Sequence, residues 1–215
     1  MNKTSFEKFG KYLREVSVVV IGVAITLSVS YWLTGRNDKR DTALYLSAIK
    51  LELEENKKIF DHTNQSVIQP GLKYANYLKT HDKKSLNLDS LKLYYPQTAY
   101  EASPITFKTN AFDMFKTSGN MRLVSDKELL LSIWDTYSLL VEIKGVFDYF
   151  SDIKLEEMKK YFTTYGQIPS DKDVLNHPPL YDVYVDMPIS FIQSRSYESA
   201  VPSLEKTISM LEQAK

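Results

Sequence analysis

Twenty consecutive residues, 16–35 (VSVVVIGVAITLSVSYWLTG), carry no charge, and they constrain the chain more than anything else in it. At about 1.5 Å of rise per residue, a helix of that length spans the roughly 30 Å hydrocarbon core of a bilayer. Glu15 and Arg36 bound the stretch, and Tyr31 and Trp32 stand where an interfacial aromatic belt is expected. The stretch therefore reads as a single-pass transmembrane helix whose partner is the lipid bilayer. Two other readings compete with it. A cleaved signal peptide could use Ser28 and Ser30 ahead of Tyr31, but the apolar pattern continues past that point through Trp32 and Leu33. A buried core helix of a globular domain would show a polar face, and here only Ser and Thr interrupt.

The anchor divides the chain into residues 1–15, 16–35 and 36–215. Lys3, Lys8, Lys11 and Arg14, with Phe6, Phe9 and Leu13 at helical spacing, make the first segment a basic amphipathic stretch suited to a headgroup boundary. Arg36, Lys39, Arg40 and Lys50 follow the anchor, so the positive-inside comparison is close. It leans toward the N-terminus inside and the large domain outside. Within the anchor Gly22, Thr26 and Ser30 share one face, a spacing that lets two membrane helices approach closely and form a homodimer. Small residues are also common in membrane helices that do not pair.

The 27 basic and 27 acidic residues cancel, which argues against nucleic acid as a partner. With no cysteine there is neither a disulfide nor a thiolate metal site. Fifteen tyrosines and ten phenylalanines supply packing volume for a narrow helical bundle, with polar tips at its surface.

The remaining pattern is helical. From residue 40 to 67, Leu46, Ile49, Leu53, Asn56, Phe60, Thr63 and Val67 recur alternately three and four apart, a coiled-coil-like seam. Asn56 is its one strongly polar side chain, either a ligand contact or an amide bonded within the bundle. If it only fixes register, Asn56→Leu is expected to preserve or raise stability. Pro70 and Gly71 are expected to interrupt this helix, and residues 80–109 read as a connector holding at most a short helix.

Residues 111–116 read as a short helix stopped by Gly119, and Ser125 with Glu128 as a capping box for the next helix. That helix carries Leu130, Ile133, Tyr137, Leu140, Phe147, Leu155, Met158 and Tyr165, and approaches the length of the first. The two long helices are expected to pack antiparallel. Gly166 and Pro169 end the second, the alternation in residues 180–187 predicts a lone extended segment, and a last helix capped by Ser199 presents Val201, Leu204, Ile208 and Leu211. The fold class is thus all-α: an N-terminal transmembrane helix followed by an antiparallel helical bundle with two long helices.

Two blocks of the chain carry a family resemblance. E-V-S-V-V-V-I-G-V-A-I-T-L-S-V-S-Y-W (residues 15–32), followed by E-L-E-E-N (52–56), resembles the start of an uncharacterised family of small membrane proteins frequent in Bacteroidetes. A-F-D-M-F-K-T-S-G-N-M-R-L-V-S-D-K-E-L (111–129) is similar to that family's second signature. Residues 30–34, S-Y-W-L-T, depart from it, since the family more often has asparagines around the tryptophan and an acid after it. The resemblance implies a bacterial inner-membrane protein, its C-terminal domain then periplasmic, and implies no activity.

No catalytic constellation stands out. His62, His81 and His177 lack metal-ligand spacing, the glycines are too sparse for a phosphate loop, and Asp171 with Asp173 lacks the glycine of a calcium loop. Ser118 before Gly119 reads as a helix end, and adjacent acids such as Glu54 and Glu55 point to different helix faces. No cofactor, metal or catalytic residue is assigned. Two functions remain open: a membrane-anchored scaffold that binds a membrane-proximal protein, or a sensory domain or enzyme with a small-molecule pocket lined by Asn56 and Tyr137.

Overall fold

The computed structural model describes residues 3–80 and 105–214, and omits the side chains of residues 3–19, 22, 31, 34 and 171. The side-chain pattern expected of residues 1–15 and the short apolar segment of the 80–109 connector lie outside the described residues. Every regular element among the described residues is helical, including residues 180–187, where the alternation predicts an extended segment.

The first helix, α1, runs Lys3–Thr63, 61 residues with no break at Gly35. At about 1.5 Å per residue that is a rod of roughly 90 Å. Among the described residues no helix is long and apolar enough to cross a membrane. Within residues 16–35, however, the described side chains begin at Val20 and omit Gly22, Tyr31 and Thr34.

Pro70 does not stop the helix. A π-helical turn, Asn64–Ile68, leads directly into α2, Gln69–Thr80, with the Gln69 N–H reaching back to the Asn64 carbonyl. Proline lacks an N–H and clashes with the carbonyl four residues earlier, and the wider turn moves that carbonyl away. The same device recurs at Pro188. The π turn Asp182–Asp186 ends two residues before that proline, and the Met187 N–H bonds the Asp182 carbonyl.

Three further elements close the upper bundle. α3, Asn110–Ser118, ends at Gly119 with φ +74° and is followed by the short 3-10 turn Asn120–Leu123. The long helix α4 spans Lys127–Tyr165 and ends on Gly166 at φ +68°, so the expected left-handed cap at Gly119 is matched by a second at Gly166, which was expected only to end the helix. Its N-cap is Asp126, whose side chain accepts from the Leu129 N–H, in place of the expected Ser125 and Glu128 box. The last helix, α8, spans Arg195–Gln213 and is capped by Ser194 where Ser199 was expected. Pro202 therefore lies inside it.

The expected extended segment is instead helical. α5 (Asp171–Asn176), α6 (Pro178–Tyr181), the second π turn and α7 (Met187–Ile192) form a compact distal unit. Leu180, Val183, Tyr184 and Val185 are buried and Tyr181 and Met187 half-buried, because α2 and α4 cover this segment from several sides. Asp182 and Asp186 alone created the apparent period of two, and Asp186 meets Lys79 at 3.5 Å.

The long helices do not run antiparallel. α8 lies against α1 with Lys50 on Glu212 and Lys57 on Glu205, and against α4 with Ser132 on Thr207 and Thr136 on Ser203. Both registers are antiparallel, so α1 and α4 run parallel to each other, with Glu52 level with Tyr137. α3 is antiparallel to α1, placing Ala111 beside Glu52 and Phe115 beside Tyr45. The bundle is a four-helix square in which neighbours alternate and the two long helices occupy one diagonal. Parallel long helices require a long return connection between them.

The seam of α1 is inside, with Ile49, Leu53, Asn56 and Phe60 all at most 1% exposed. On α4 the buried set is Leu129, Ile133, Thr136, Tyr137, Leu140, Ile143 and, further along, Tyr161, whereas Leu155 and Tyr165 face outward. The distal unit forms a second cluster around Tyr74, Leu78, Tyr161 and Leu180.

Candidate functional site

A buried polar network centred on Glu52 joins α1, α3 and α4 in the upper bundle. Glu52 is 7% exposed. Its Oε2 accepts from the Ala111 N–H at 2.8 Å, and its Oε1 from the Phe112 N–H at 3.3 Å and the Tyr137 hydroxyl at 2.5 Å. A helix leaves its first N–H groups unpartnered, and Thr109, the capping residue of α3, does not bond them. Glu52 caps α3 from a neighbouring helix, where the helix dipole also favours a carboxylate.

One turn further along α1, Asn56 is fully buried and pairs twice with the backbone of Lys108. Its Nδ2 donates to the carbonyl at 2.8 Å, and its Oδ1 accepts from the N–H at 2.7 Å. The side-chain amide thus serves as the strand partner that an extended segment otherwise lacks. Glu55 completes the clasp with an ion pair to Lys108 Nζ at 2.6 Å. This pairing argues against the expectation that Asn56→Leu preserves stability, because leucine would remove the partner of both backbone groups.

Tyr137 seals the network from α4. Its ring stacks on Phe112 at 4.2 Å and 4°, and Trp134 meets Phe112 edge-on at 5.6 Å. Burial, reinforced by the adjacent Glu52 carboxylate, raises the phenol well above its ordinary range and keeps it a neutral donor. The arrangement can hold a segment in place; it presents no nucleophile beside a base and no donor pair aimed at open space.

Both interior candidates, Asn56 and Tyr137, therefore sit in one network and are engaged by the chain itself. Glu52 is the member that sequence reasoning missed, although its position three residues after Ile49 and four before Asn56 marks the buried face. Within residues 16–35, Thr26 and Ser30 are exposed, and the Gly22 side of that face lies outside the described side chains.

Other polar residues are held structurally. Asp173 closes a capping box with Ser170 at the start of α5, which accounts for the calcium-like spacing. His62 is exposed, His177 stands edge-on to Tyr161 at 5.6 Å, and His81 lies outside the described residues. Among the described residues no group of acids and histidines is placed to hold a metal ion. Burial lowers the Lys154 ammonium to about 8, and its Nζ sits 5.0 Å from the Tyr184 ring centroid. Comparison with protein-family models, with curated proteins and with solved structures returned no match.

Proposed function

We propose that this chain is a membrane-anchored helical scaffold that holds a protein-binding surface a fixed distance above a bilayer. The observation that carries the reading is the first part of α1. Val20, Ile21, Val23, Ile25, Leu27 and Val29 are each 50–59% exposed and distributed around the whole helix, so no element among the described residues covers them. A helix apolar on every side belongs in a core or a bilayer, and the bundle leaves this one bare. The Ser28 hydroxyl donates to the Ala24 carbonyl at 2.7 Å, the internal bonding that a lipid environment demands. Because α1 passes unbroken into the bundle, the anchor and the domain form one lever.

The scaffold reading also draws on the outer face of α4, where Leu131, Trp134 and Val141 are 62%, 47% and 62% exposed. The pocket reading loses its proposed lining, since Asn56 and Tyr137 bond Lys108 and Glu52. Crosslinking from native membranes is expected to recover a stoichiometric protein partner, lost in Val141→Glu while the helical signal is unchanged. Equal recovery with the variant, or no partner together with thermal stabilisation by a small metabolite, would refute the scaffold.

For orientation, the basic first fifteen residues favour the N-terminus inside and the bundle in the periplasm of a bacterial inner membrane. A C-terminal phosphatase fusion is then expected to be active. Fluorescence from a C-terminal fluorescent-protein fusion, with the phosphatase inactive, reverses the orientation. Pairing of two anchors through Gly22, Thr26 and Ser30 is compatible with this arrangement and doubles the surface offered to a partner.

A further inference from the structure

We propose that the foot of the bundle holds the headgroup of an anionic phospholipid with hydroxyls on its headgroup, of the phosphatidylglycerol kind; this rests on the membrane-anchored reading above. A groove of about 540 Å³ opens there between α1 and the turn that starts α4. Small-ligand sites occupy roughly 300–1,000 Å³, so the space is adequate. Gly35, Thr42 and Leu46 line it from α1, and Leu123, Asp126 and Leu129 from the other wall.

Position commits the occupant. The groove begins at Gly35, where the uncovered apolar sleeve of α1 ends. From Gly35 to Arg40 the helix rises about 7.5 Å, and each headgroup layer is roughly 5–7 Å deep. The lower part of the groove is thus level with lipid phosphates, and a free metabolite would compete with a ligand already concentrated beside it.

Charge selects the class. Arg36, Lys39 and Arg40 are exposed along one flank of α1, and Lys39 also lines the groove. The Arg36 guanidinium lies 5.8 Å from the Trp32 ring centroid, which holds it at the boundary. Lys39 at the groove, with Arg36 and Arg40 beside it on the same flank, suits a phosphate at the groove's outer edge. Asp38 from α1, and Ser125 and Asp126 from the other wall, offer acceptors for headgroup hydroxyls. A zwitterionic choline headgroup would bring a bulky cation with no hydroxyl to donate.

The chain holds two tryptophans, so Trp134→Phe leaves Trp32 as the single reporter at the groove's lower rim. The full-length protein is reconstituted in vesicles of phosphatidylcholine containing either brominated phosphatidylglycerol or brominated phosphatidylcholine, and quenching of Trp32 is titrated. The brominated phosphatidylglycerol is expected to quench at a several-fold lower mole fraction. Arg36→Gln/Lys39→Gln/Arg40→Gln should abolish the preference, and Ala43→Phe, which narrows the groove without touching a charge, should weaken it. Equal quenching by the two lipids in the parent protein overturns the headgroup site while leaving the anchor intact. A preference that survives Ala43→Phe unchanged overturns the groove as its seat. Absence of quenching by either lipid overturns the anchor itself, and the site with it.

Discussion

Glu52→Ala is expected to destabilise the bundle by about 3–5 kcal/mol, the largest loss foreseen for any single substitution here. The carboxylate satisfies three donors at once: the Tyr137 hydroxyl and the Ala111 and Phe112 N–H groups. Alanine leaves all three without a partner in a region where Phe112 and Tyr137 are themselves buried. Each stranded donor costs about 1–3 kcal/mol, partly relieved where water can enter from the α3 side. Tyr137→Phe removes one donor and leaves the carboxylate two others, so its cost should be nearer 1 kcal/mol. Urea unfolding of the full chain in detergent micelles, followed by the helical signal, measures both. The midpoint should fall steeply for Glu52→Ala with the slope unchanged. A loss under about 1 kcal/mol for Glu52→Ala would show that α3 does not depend on its cap.

The consequence reaches beyond α3. That helix forms one side of the four-helix square over the level of Tyr45 to Glu52, and its Phe112 and Phe115 fill the space between the diagonal helices. Releasing α3 uncovers the inner faces of α1 and α4 together. The outer face of α4, with Trp134 packed edge-on against Phe112, then loses its backing. The exposed apolar face of α4, the surface proposed above to bind a partner, is thus tied to a carboxylate on α1, the helix proposed as the anchor.

Much of the fold was legible because it depends on local chemistry. The α1 seam, the caps at Gly119 and Gly166 and the long α4 follow from apolar spacing and from glycine's access to positive φ. Features that need a partner in space were not. Helix direction could not be read from two seams of similar length, since seams state which face is buried and not which neighbour covers it. Pro70 looked like a stop because the rule concerns α-helical spacing, and a π turn escapes the clash. The alternation in residues 180–187 misled because the segment is covered on several sides, so burial no longer follows one face. Of the site, Asn56 and Tyr137 were visible as polar groups on apolar faces. Glu52 was hidden in a run of acids, and its partners lie at least 59 residues away in the chain.

Asn56→Leu is expected to cost about 2 kcal/mol, although it replaces a buried polar side chain by an apolar one of similar size. A buried amide that bonded only another side chain could be exchanged with little loss. This one bonds the N–H and the carbonyl of Lys108, and neither backbone group can be mutated away. The cost stays below that of Glu52→Ala because Lys108 itself is exposed, so water can reach part of the released segment. Asn56→Asp separates the two bonds: it keeps an acceptor for the N–H and sets a carboxylate oxygen against the carbonyl, so it should be at least as damaging. The double variant Glu52→Ala/Asn56→Leu should lose about 1 kcal/mol less than the sum of the singles, because both side chains hold the same stretch from Lys108 to Phe112. Urea midpoints of the four proteins in the same micelles close the cycle. Full additivity would mean that the segment is held at two independent points, and unchanged or raised stability in Asn56→Leu would mean that Lys108 finds other partners.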